Sequence, residues 1–275
     1  MANILVPFDF SVNATTALDQ ACLVAVKKRL SIEVLHIVNF KTASEYPADW
    51  GVDPHSPDLH MIRKKLNEHV DERKRTCSAV EVPIEISVKE SVMVNGGIIN
   101  HMLHKKSDLI MMGTHGTTNA IERFWGTNSS TMINHSLFPV MVVPPQWKPA
   151  TFNEMIAAVA LKEISECLPQ VTKWTEWLHV APTLVTMSSV PEVDKPLLEE
   201  AVKGYEGVKA VMVDKKNDMP LWKNLVAFTE NRNDTLLVMF VHERTVLEKL
   251  FDYSITSKVA ERIHIPLLAL PAKHK

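Results

Sequence analysis

The sequence predicts an α/β fold built from two tandem halves, each with a parallel sheet. Short apolar runs of strand length alternate with helical patterns, which is typical of βαβ units. A pattern near the middle of the chain recurs near its end. Pro144, Pro145 and Pro149 interrupt the chain between the two copies. We therefore predict one domain over residues 1–146 and a second over residues 151–275.

The first half is expected to contain five strands and four helices. The predicted strands are Asn3–Pro7, Ile32–Val38, Pro83–Val88, Leu109–Met112 and Pro139–Val143. The predicted helices are Asn13–Arg29, Pro57–Cys77, Gly97–His104 and Ser129–His135. A loop with three prolines, residues 39–57, precedes the second helix. Strands and helices thus alternate, as parallel pairing requires.

The second half repeats this plan. The segment Phe138–Pro144 aligns with Ile265–Pro271, 127 residues later, and Asn3–Val6 aligns with Glu154–Ala157, 151 residues later. The second half therefore lacks 24 residues, mainly where the first half has its proline-containing loop and charged helix. Such a long internal repeat indicates a tandem duplication. A coincidental likeness between two α/β domains is the alternative.

Composition argues against several classes of function. The net charge of −2 over 275 residues provides no basic surface for nucleic acid. The apolar runs fall short of the ~20 residues that cross a bilayer, and the N-terminus looks like a strand rather than a signal peptide. Three widely spaced cysteines read as reduced thiols. We expect a cytoplasmic protein with no nucleic-acid or membrane partner.

Glycines that follow the fourth predicted strand indicate a phosphate site. Gly113 and Gly116 would let backbone N–H groups approach an anion and would permit positive φ. Gly126 would do the same at the entry to the next helix. The N–H groups of Thr127 and the two residues after it would face the phosphates, and the hydroxyls of Thr127 and Ser129 would add contacts. Capping of the helix is the alternative role for these hydroxyls, and both roles can hold together.

The motif Gly-x2-Gly-x9-Gly-Thr, closed by an apolar strand that ends in proline, resembles the ATP-binding signature of universal stress proteins. The segments Ile4–Ser11 and Leu35–Val38 resemble the first strand and the second-strand end of that family. The resemblance implies two open, parallel, five-stranded sheets of order 3-2-1-4-5 with helices on both faces, the adenine-nucleotide α-hydrolase-like fold. It also implies that the ligand is ATP, either alone or together with Mg²⁺.

The resemblance assigns roles to residues on both sides of the strand-order reversal, where open α/β sheets bind ligands. Asp9 and the backbone before it would face the adenosine and, through a metal, the phosphates. Ile37 and Met112 would form apolar pocket wall. A helix N-cap or turn residue is the alternative for Asp9. The predicted site comprises Pro7, Phe8, Asp9, Ile37, Met112, Gly113, Gly116, Gly126, Thr127, Asn128 and Ser129.

The sequence favours nucleotide binding over catalysis. It contains neither a P-loop nor the dinucleotide-binding glycine pattern after the first strand. Arg123 is the one lysine or arginine within the motif, and a solvated helix position suits it better than a γ-phosphate contact. No residue is therefore assigned as catalytic, and at most a weak ATPase is expected. Two alternatives stay open: a slow ATPase or nucleotidyl-transfer enzyme that uses Asp9 and His115, and a scaffold that binds no nucleotide.

The second half loses the motif. At the repeat offset, Phe240, Glu243 and Tyr253 replace the three glycines, and Ala160 replaces Asp9. Residues 151–275 are therefore expected not to bind ATP. Their predicted role is that of a pseudo-dimer partner, with strands Pro139–Val143 and Pro266–Leu270 meeting across a pseudo-twofold axis. A homodimer and a different small ligand for this half stay open.

His101 and His104 lie three residues apart on one predicted helix face. A metal site needs further ligands, and none is evident in the sequence. We interpret them as a helix-surface pair.

Overall fold

The structure is a computed structural model. It describes residues 3–39, 46, 50, 58–105, 107–114, 127–135, 137–215, 218–241, 255–260 and 262–272. The chain divides into two compact units, Met1–Met132 and Ile133–Lys275. No helix within the described ranges is both long and apolar enough to cross a membrane.

The described residues of the first unit form four parallel strands in the order β3-β2-β1-β4. The strands are β1 Asn3–Pro7, β2 Ser31–Val38, β3 Ile84–Glu90 and β4 Leu109–Gly113. The helices are α1 Val12–Lys28, α2 Leu59–Thr76, α3 Val94–Lys105 and α4 Thr127–His135, the last of which continues into the second unit. The predicted alternation of strands and helices is confirmed.

Side chains of β2 contact elements on both faces of the sheet. Glu33 lies against His101 of α3, with 2.8 Å between carboxylate oxygen and Nε2. His36 is an odd number of residues further along the strand, so its side chain lies on the opposite face. There its ring contacts Phe10, which precedes α1. Helices therefore cover both faces of the sheet, as the fold class requires.

Local signals in the sequence set the ends of α1. The Ser11 hydroxyl accepts a hydrogen bond from the Ala14 N–H at 3.0 Å, which caps the first turn. Arg29 ends the helix in the left-handed conformation, and Lys27 and Lys28 occupy the last turn, where positive charge complements the helix dipole. Because Leu18 is fully buried, the helix also anchors to the core.

In the part of the second unit that the structure describes, five strands are parallel, in the order β10-β9-β6-β7-β8, and β5 lies antiparallel beside β10. The strands are β5 Val140–Val143, β6 Glu154–Ala158, β7 Ala181–Ser188, β8 Lys209–Asp214, β9 Thr235–Val241 and β10 Leu267–Pro271. The helices are α5 Ile164–Leu178, α6 Pro191–Val202, α7 Leu221–Thr229 and α8 Ile255–Ala260. The five parallel strands show the order 3-2-1-4-5 implied by the resemblance.

Strand β5 pairs with β10, so that Val142 faces Leu267 and Val140 faces Ala269. These are the two strands that the sequence predicts to meet. Both are buried, and their pairing satisfies backbone groups that an edge strand would leave open. The α/β fold class is confirmed, whereas its separation into two independent five-stranded sheets is not.

Matching backbone details support the duplication. The N–H of Phe8 donates to the carbonyl of Leu35 at 2.8 Å, and the N–H of Val159 donates to that of Val185 at 3.0 Å. In both units this bond joins the residue after the first strand to the second strand. The helices that follow, α1 and α5, both end at a left-handed residue with φ of 53°.

The interpretation of His101 as a surface residue is wrong. Its Nε2 lies 2.8 Å from the carboxylate of Glu33, and the Ser87 hydroxyl donates to the same oxygen at 2.7 Å. All three side chains are buried, because both faces of β2 are covered. A buried carboxylate needs hydrogen-bond partners, and His101 and Ser87 provide them. His104 is exposed, and its Nδ1–H donates to the carbonyl of Asn100.

Truncation of Leu18 tests the core beneath α1. Leu18→Ala should lower the free energy of unfolding by roughly 2–5 kcal/mol, because it leaves a cavity at a fully buried position. Val12 lies in the same helix and is 79% exposed, so Val12→Ala should change the free energy of unfolding by less than about 0.5 kcal/mol. Urea denaturation of both variants measures the difference. Equal losses would mean that α1 does not pack as described.

Candidate functional site

The candidate site lies at the carboxyl ends of β1 and β4. These parallel strands pair with Ile4 opposite Leu109 and Leu5 opposite Ile110. The chain order reverses between them, since β1 has β2 on one side and β4 on the other. Such a reversal opens a crevice beyond the strand ends, and ligands of open α/β sheets bind there.

Asp9 follows β1 in a tight turn. Its Oδ1 accepts a hydrogen bond from the Ser11 N–H at 3.1 Å, and the residue is exposed. Between them, Phe10 takes a left-handed conformation with φ of 64°. Ser11, rather than Asp9, caps α1. The helix-cap alternative for Asp9 is therefore wrong, although Asp9 does act as a turn residue.

Gly113 ends β4 against the first turn of α1. A Cβ on Gly113 would lie 2.6 Å from the carbonyl oxygen of Asn13 and 2.8 Å from its Cβ. These distances are too short for any other residue unless the helix moves. The described glycines with positive φ are Gly204 and Gly207, so Gly113 does not use the positive φ that a glycine permits. Glycine is required here because backbone meets backbone.

A hydrogen bond between Ser129 and Gly113 holds α4 at the same strand end. The buried Ser129 hydroxyl donates to the Gly113 carbonyl at 2.8 Å. Helix α4 begins at Thr127, so Ser129 lies in its first turn with Asn128, which is half-buried. N–H groups of a first turn have no partners within the helix and attract negative charge. The bond therefore places such groups beside the end of β4.

Two of the predicted wall residues are buried. Ile37 is 7% exposed and lies under α3, where a Cβ on Gly97 would come within 3.0 Å of its Cδ1. Met112 is 5% exposed in β4, and Pro7, which ends β1, is half-buried. They border the strand ends from within the core.

Several predicted residues lie outside the described part of the chain. In the first half these are Gly116, Gly126, His115 and Arg123, together with the side chain of Thr127. In the second half they are Glu243 and Tyr253. Their roles stay predictions from the sequence.

An aromatic cluster beside the β1 turn was missed by sequence reasoning. The ring centroid of Phe10 lies 4.8 Å from that of Trp50 and 5.0 Å from that of His36. Phe8 lies 5.0 Å from His69 of α2, and Tyr46 stacks on Trp50 at 6.0 Å. The members come from four separate segments of the chain. No periodic pattern joins them, although the run of aromatic residues around Asp9 was a signal.

His36 connects this cluster to the β1 turn. Its Nδ1–H donates to the carbonyl of Phe8 at 2.7 Å, because a carbonyl can only accept. Its Nε2 then accepts from the Tyr46 hydroxyl at 2.6 Å. Burial lowers the pKa of His36 below its ordinary value of 6.5, which favours this neutral form. The backbone before Asp9 is thus held in place by a neutral imidazole.

The second unit differs at the equivalent positions. Phe240, which replaces Gly113, is 9% exposed in β9, and Ala160 replaces Asp9. The hydroxyl of Ser257 in α8 donates to the side-chain oxygen of Asn134 at 3.1 Å. A phenylalanine side chain occupies the place where the first unit requires glycine. The arrangement of Gly113 with α1 and α4 is therefore not repeated.

Within the described residues, no group of three or more histidine, cysteine, aspartate and glutamate side chains could hold a metal ion. Asp9 is the acidic residue that the site contributes. Mg²⁺ takes six oxygen ligands in octahedral geometry. A cation at this edge would therefore take most of its ligands from a bound phosphate and water.

The fold defines an open α/β protein whose strand order reverses between β1 and β4. Residues 1–144 match the universal stress protein family. This match covers more than half of the chain, so the protein belongs to the universal stress protein family. A putative universal stress protein of Staphylococcus aureus strain USA300 is 28% identical over 164 residues, which covers 58% of this chain and 95% of the relative.

Two solved structures share the fold over almost the whole chain. A universal stress protein from Archaeoglobus fulgidus has a TM-score of 0.71 and 18% identity, and the match covers 98% of both chains. A putative universal stress protein from Pseudomonas aeruginosa UCBPP-PA14 has a TM-score of 0.65 and 12% identity, with 99% and 94% covered. At these identities the likeness concerns the fold alone.

Replacement of Gly113 tests the contact with α1. Gly113→Ala should destabilise the protein by about 1–3 kcal/mol, because the new methyl group overlaps the backbone of Asn13. Gly96→Ala is the matched control. Gly96 lies within α3, and a Cβ on it would meet nothing closer than 3.6 Å. The control should stabilise by roughly 0.5–1 kcal/mol. Thermal or urea unfolding measures both changes. A neutral Gly113→Ala would contradict the contact.

The buried imidazole predicts a pH dependence of stability. The pKa of His36 is lowered in the folded protein by burial, and burial likewise lowers that of His69. The unfolded chain then binds more protons as the pH falls through 6.5, so the free energy of unfolding decreases with acidification. His36→Gln should flatten this decrease between about pH 8 and pH 5. The double variant with His69→Gln should be flattest. An unchanged slope in His36→Gln would contradict the assignment.

Proposed function

We propose that the domain over residues 1–146 binds ATP beyond the carboxyl ends of β1 and β4. The bond from the Ser129 hydroxyl to the Gly113 carbonyl, 2.8 Å long, carries the proposal. It ties the first turn of a helix to the strand at which the glycine motif begins. A phosphate group is a good ligand for such a helix start. The motif Gly-x2-Gly-x9-Gly-Thr between these residues supplies further backbone N–H groups.

The proposed roles follow from position. Thr127, Asn128 and Ser129 offer N–H groups of the α4 first turn to the phosphates. Gly116 and Gly126 let the intervening backbone approach the same oxygens. The exposed carboxylate of Asp9, held by the Ser11 N–H, accepts hydrogen bonds from ribose hydroxyls. The buried Ser129 hydroxyl, which donates to Gly113, orients the helix.

The adenosine end of the ligand is assigned to the turn after β1. The backbone of Pro7 and Phe8 borders this end, and a hydrogen bond from the neutral His36 holds the Phe8 carbonyl in place. Ile37 and Met112 provide the apolar floor of the crevice. Mg²⁺, when present, would be held mainly by the phosphate oxygens, with Asp9 as the protein ligand.

Residues 151–275 are proposed as a second domain that does not bind ATP. The buried Phe240 stands where glycine is needed, and the antiparallel pairing of β5 with β10 supports a role as a pseudo-dimer partner. The boundary of the compact units falls earlier, after Met132, because β5 pairs with β10. We propose that the protein acts in the cytoplasm in the response to stress by holding the nucleotide rather than by turning it over.

Calorimetry with ATP tests the proposal. The wild-type protein should bind one ATP per chain at about 1 mM nucleotide, and nucleotide released by denaturation should be identified by mass spectrometry as an adenine nucleotide. Gly116→Glu should weaken binding at least about tenfold, because a carboxylate would repel the phosphates. No binding by the wild type, or two equivalent sites per chain, would overturn the proposal.

The second domain offers a matched control for this measurement. Glu243 occupies the position equivalent to Gly116. Glu243→Gly should leave the affinity and the stoichiometry for ATP unchanged, because the proposed site lies in the first domain. Steady ATP hydrolysis that disappears in His115→Ala while binding persists would instead assign an enzyme.

A further inference from the structure

Two cysteines from separate helices meet in the first unit, away from the candidate nucleotide site. Cys22 lies in α1 and is fully buried, and Cys77 is the C-terminal cap of α2 and is half-buried. The Cys77 Sγ lies 3.3 Å from Oδ1 of Asp19, which is three residues before Cys22 on α1, and the interaction of the two thiols shifts the pKa of both. They are 55 residues apart in sequence, so the helix packing alone brings them together.

An ion pair between Arg73 and Asp19 lies beside the two thiols. The guanidinium of Arg73 donates two hydrogen bonds to the Asp19 carboxylate, at 2.6 and 2.8 Å. The Cys77 thiol donates to the same carboxylate at 3.3 Å. Asp19 and Cys22 lie three residues apart on one face of α1, whereas Arg73 and Cys77 lie four residues apart on α2. The four side chains form one contact between the two helices.

The environment makes the two thiols unequal. The hydrogen bond with Cys22 lowers the pKa of Cys77, and the positive charge of Arg73 acts in the same direction. The hydrogen bond with Cys77 raises the pKa of Cys22, and burial raises it further. Cys77 is therefore the thiol that more readily becomes the nucleophilic thiolate, and it is the one that solvent reaches.

We propose that Cys22 and Cys77 form a reversible disulfide when the protein meets hydrogen peroxide. The Cys77 thiolate attacks one peroxide oxygen, the O–O bond breaks, and with one proton the products are a Cys77 sulfenic acid and water. The Cys22 sulfur then attacks the Cys77 sulfur and loses its proton, and the sulfenic hydroxyl leaves as a second water. One peroxide is reduced and two thiols are oxidised, and a small thiol reductant restores them by exchange.

The contact between the helices fits this sequence of steps. The half-buried partner reacts first, and the buried partner lies one turn from the Asp19 carboxylate that Cys77 contacts, so the sulfenic acid forms beside it. Cys77 is followed by Ser78, which has a φ of 53° and lies beyond the end of α2. Adjustment of a helix terminus requires less disruption than adjustment of a helix interior. The cross-link would fasten the end of α2 to the middle of α1.

Cys167 provides the internal comparison. It is buried in α5, and burial raises the pKa of its thiol to about 12. The position equivalent to Cys22 in the second unit, at the offset of 150 that relates Arg29 to His179, is Thr172. The second unit therefore lacks this thiol pair, and Cys167 should resist peroxide.

Peroxide treatment of the full-length protein, followed by peptide mapping without reductant, tests the proposal. The wild type should yield a Cys22–Cys77 linked peptide, lose the mass of two hydrogen atoms and recover them with dithiothreitol. Cys22→Ser should instead accumulate a Cys77 sulfenic acid that dimedone traps, and Cys22→Ala should do the same if serine perturbs folding. Cys77→Ser should leave Cys22 reduced. Cys167→Ser should behave as the wild type.

The oxidised protein should also be more stable. Closing a long loop restricts the unfolded chain, and the Tm should rise on the order of 5 °C in the wild type but not in Cys77→Ser. Oxidation of Cys77 beyond sulfenic acid in the wild type without a linked peptide would overturn the proposal. Equal oxidation rates at Cys77 and Cys167 would also overturn it.

Discussion

The close approach of α1 to Gly113 is the constraint on which the candidate site depends. The first turn of α1 comes so near the end of β4 that a methyl group on Gly113 would lie 2.6 Å from the Asn13 carbonyl oxygen. The carbonyl of Gly113 also accepts the hydrogen bond from Ser129 that positions α4. One glycine thus lets two helices begin at one strand end. The starts of two helices concentrate N–H groups at this strand end, and the proposed phosphate site depends on them.

The turn after β1 supplies the opposite wall through a different kind of interaction. Hydrogen bonds from the Phe8 N–H to Leu35 and from His36 to the Phe8 carbonyl fix the backbone that carries Asp9. A charged imidazole in this buried place would lose its hydration, which explains its lowered pKa. The site therefore combines a rigid, neutral support with an exposed carboxylate.

Prediction from the sequence was most accurate for the elements and least accurate for individual side chains. The bounds of β1 and the approximate positions of α1 and β4 follow from apolar runs and caps that operate over a few residues. The burial of His101 could not be predicted, because its partner Glu33 lies on a strand 68 residues away. The aromatic cluster around Phe10 was missed for the same reason. Helical and strand periodicity contain no information on such long-range contacts.

The sequence by itself determined the family, the alternation of strands and helices, and the loss of glycines from the second copy. All three depend on the order and spacing of residues along the chain, so they can be recognised without the structure. Only the tertiary structure decided why Gly113 must be glycine, which partner Ser129 has, and that Cys22 meets Cys77. Each of these depends on distances between segments remote in sequence. Packing of whole helices and strands sets those distances, and no local pattern specifies them.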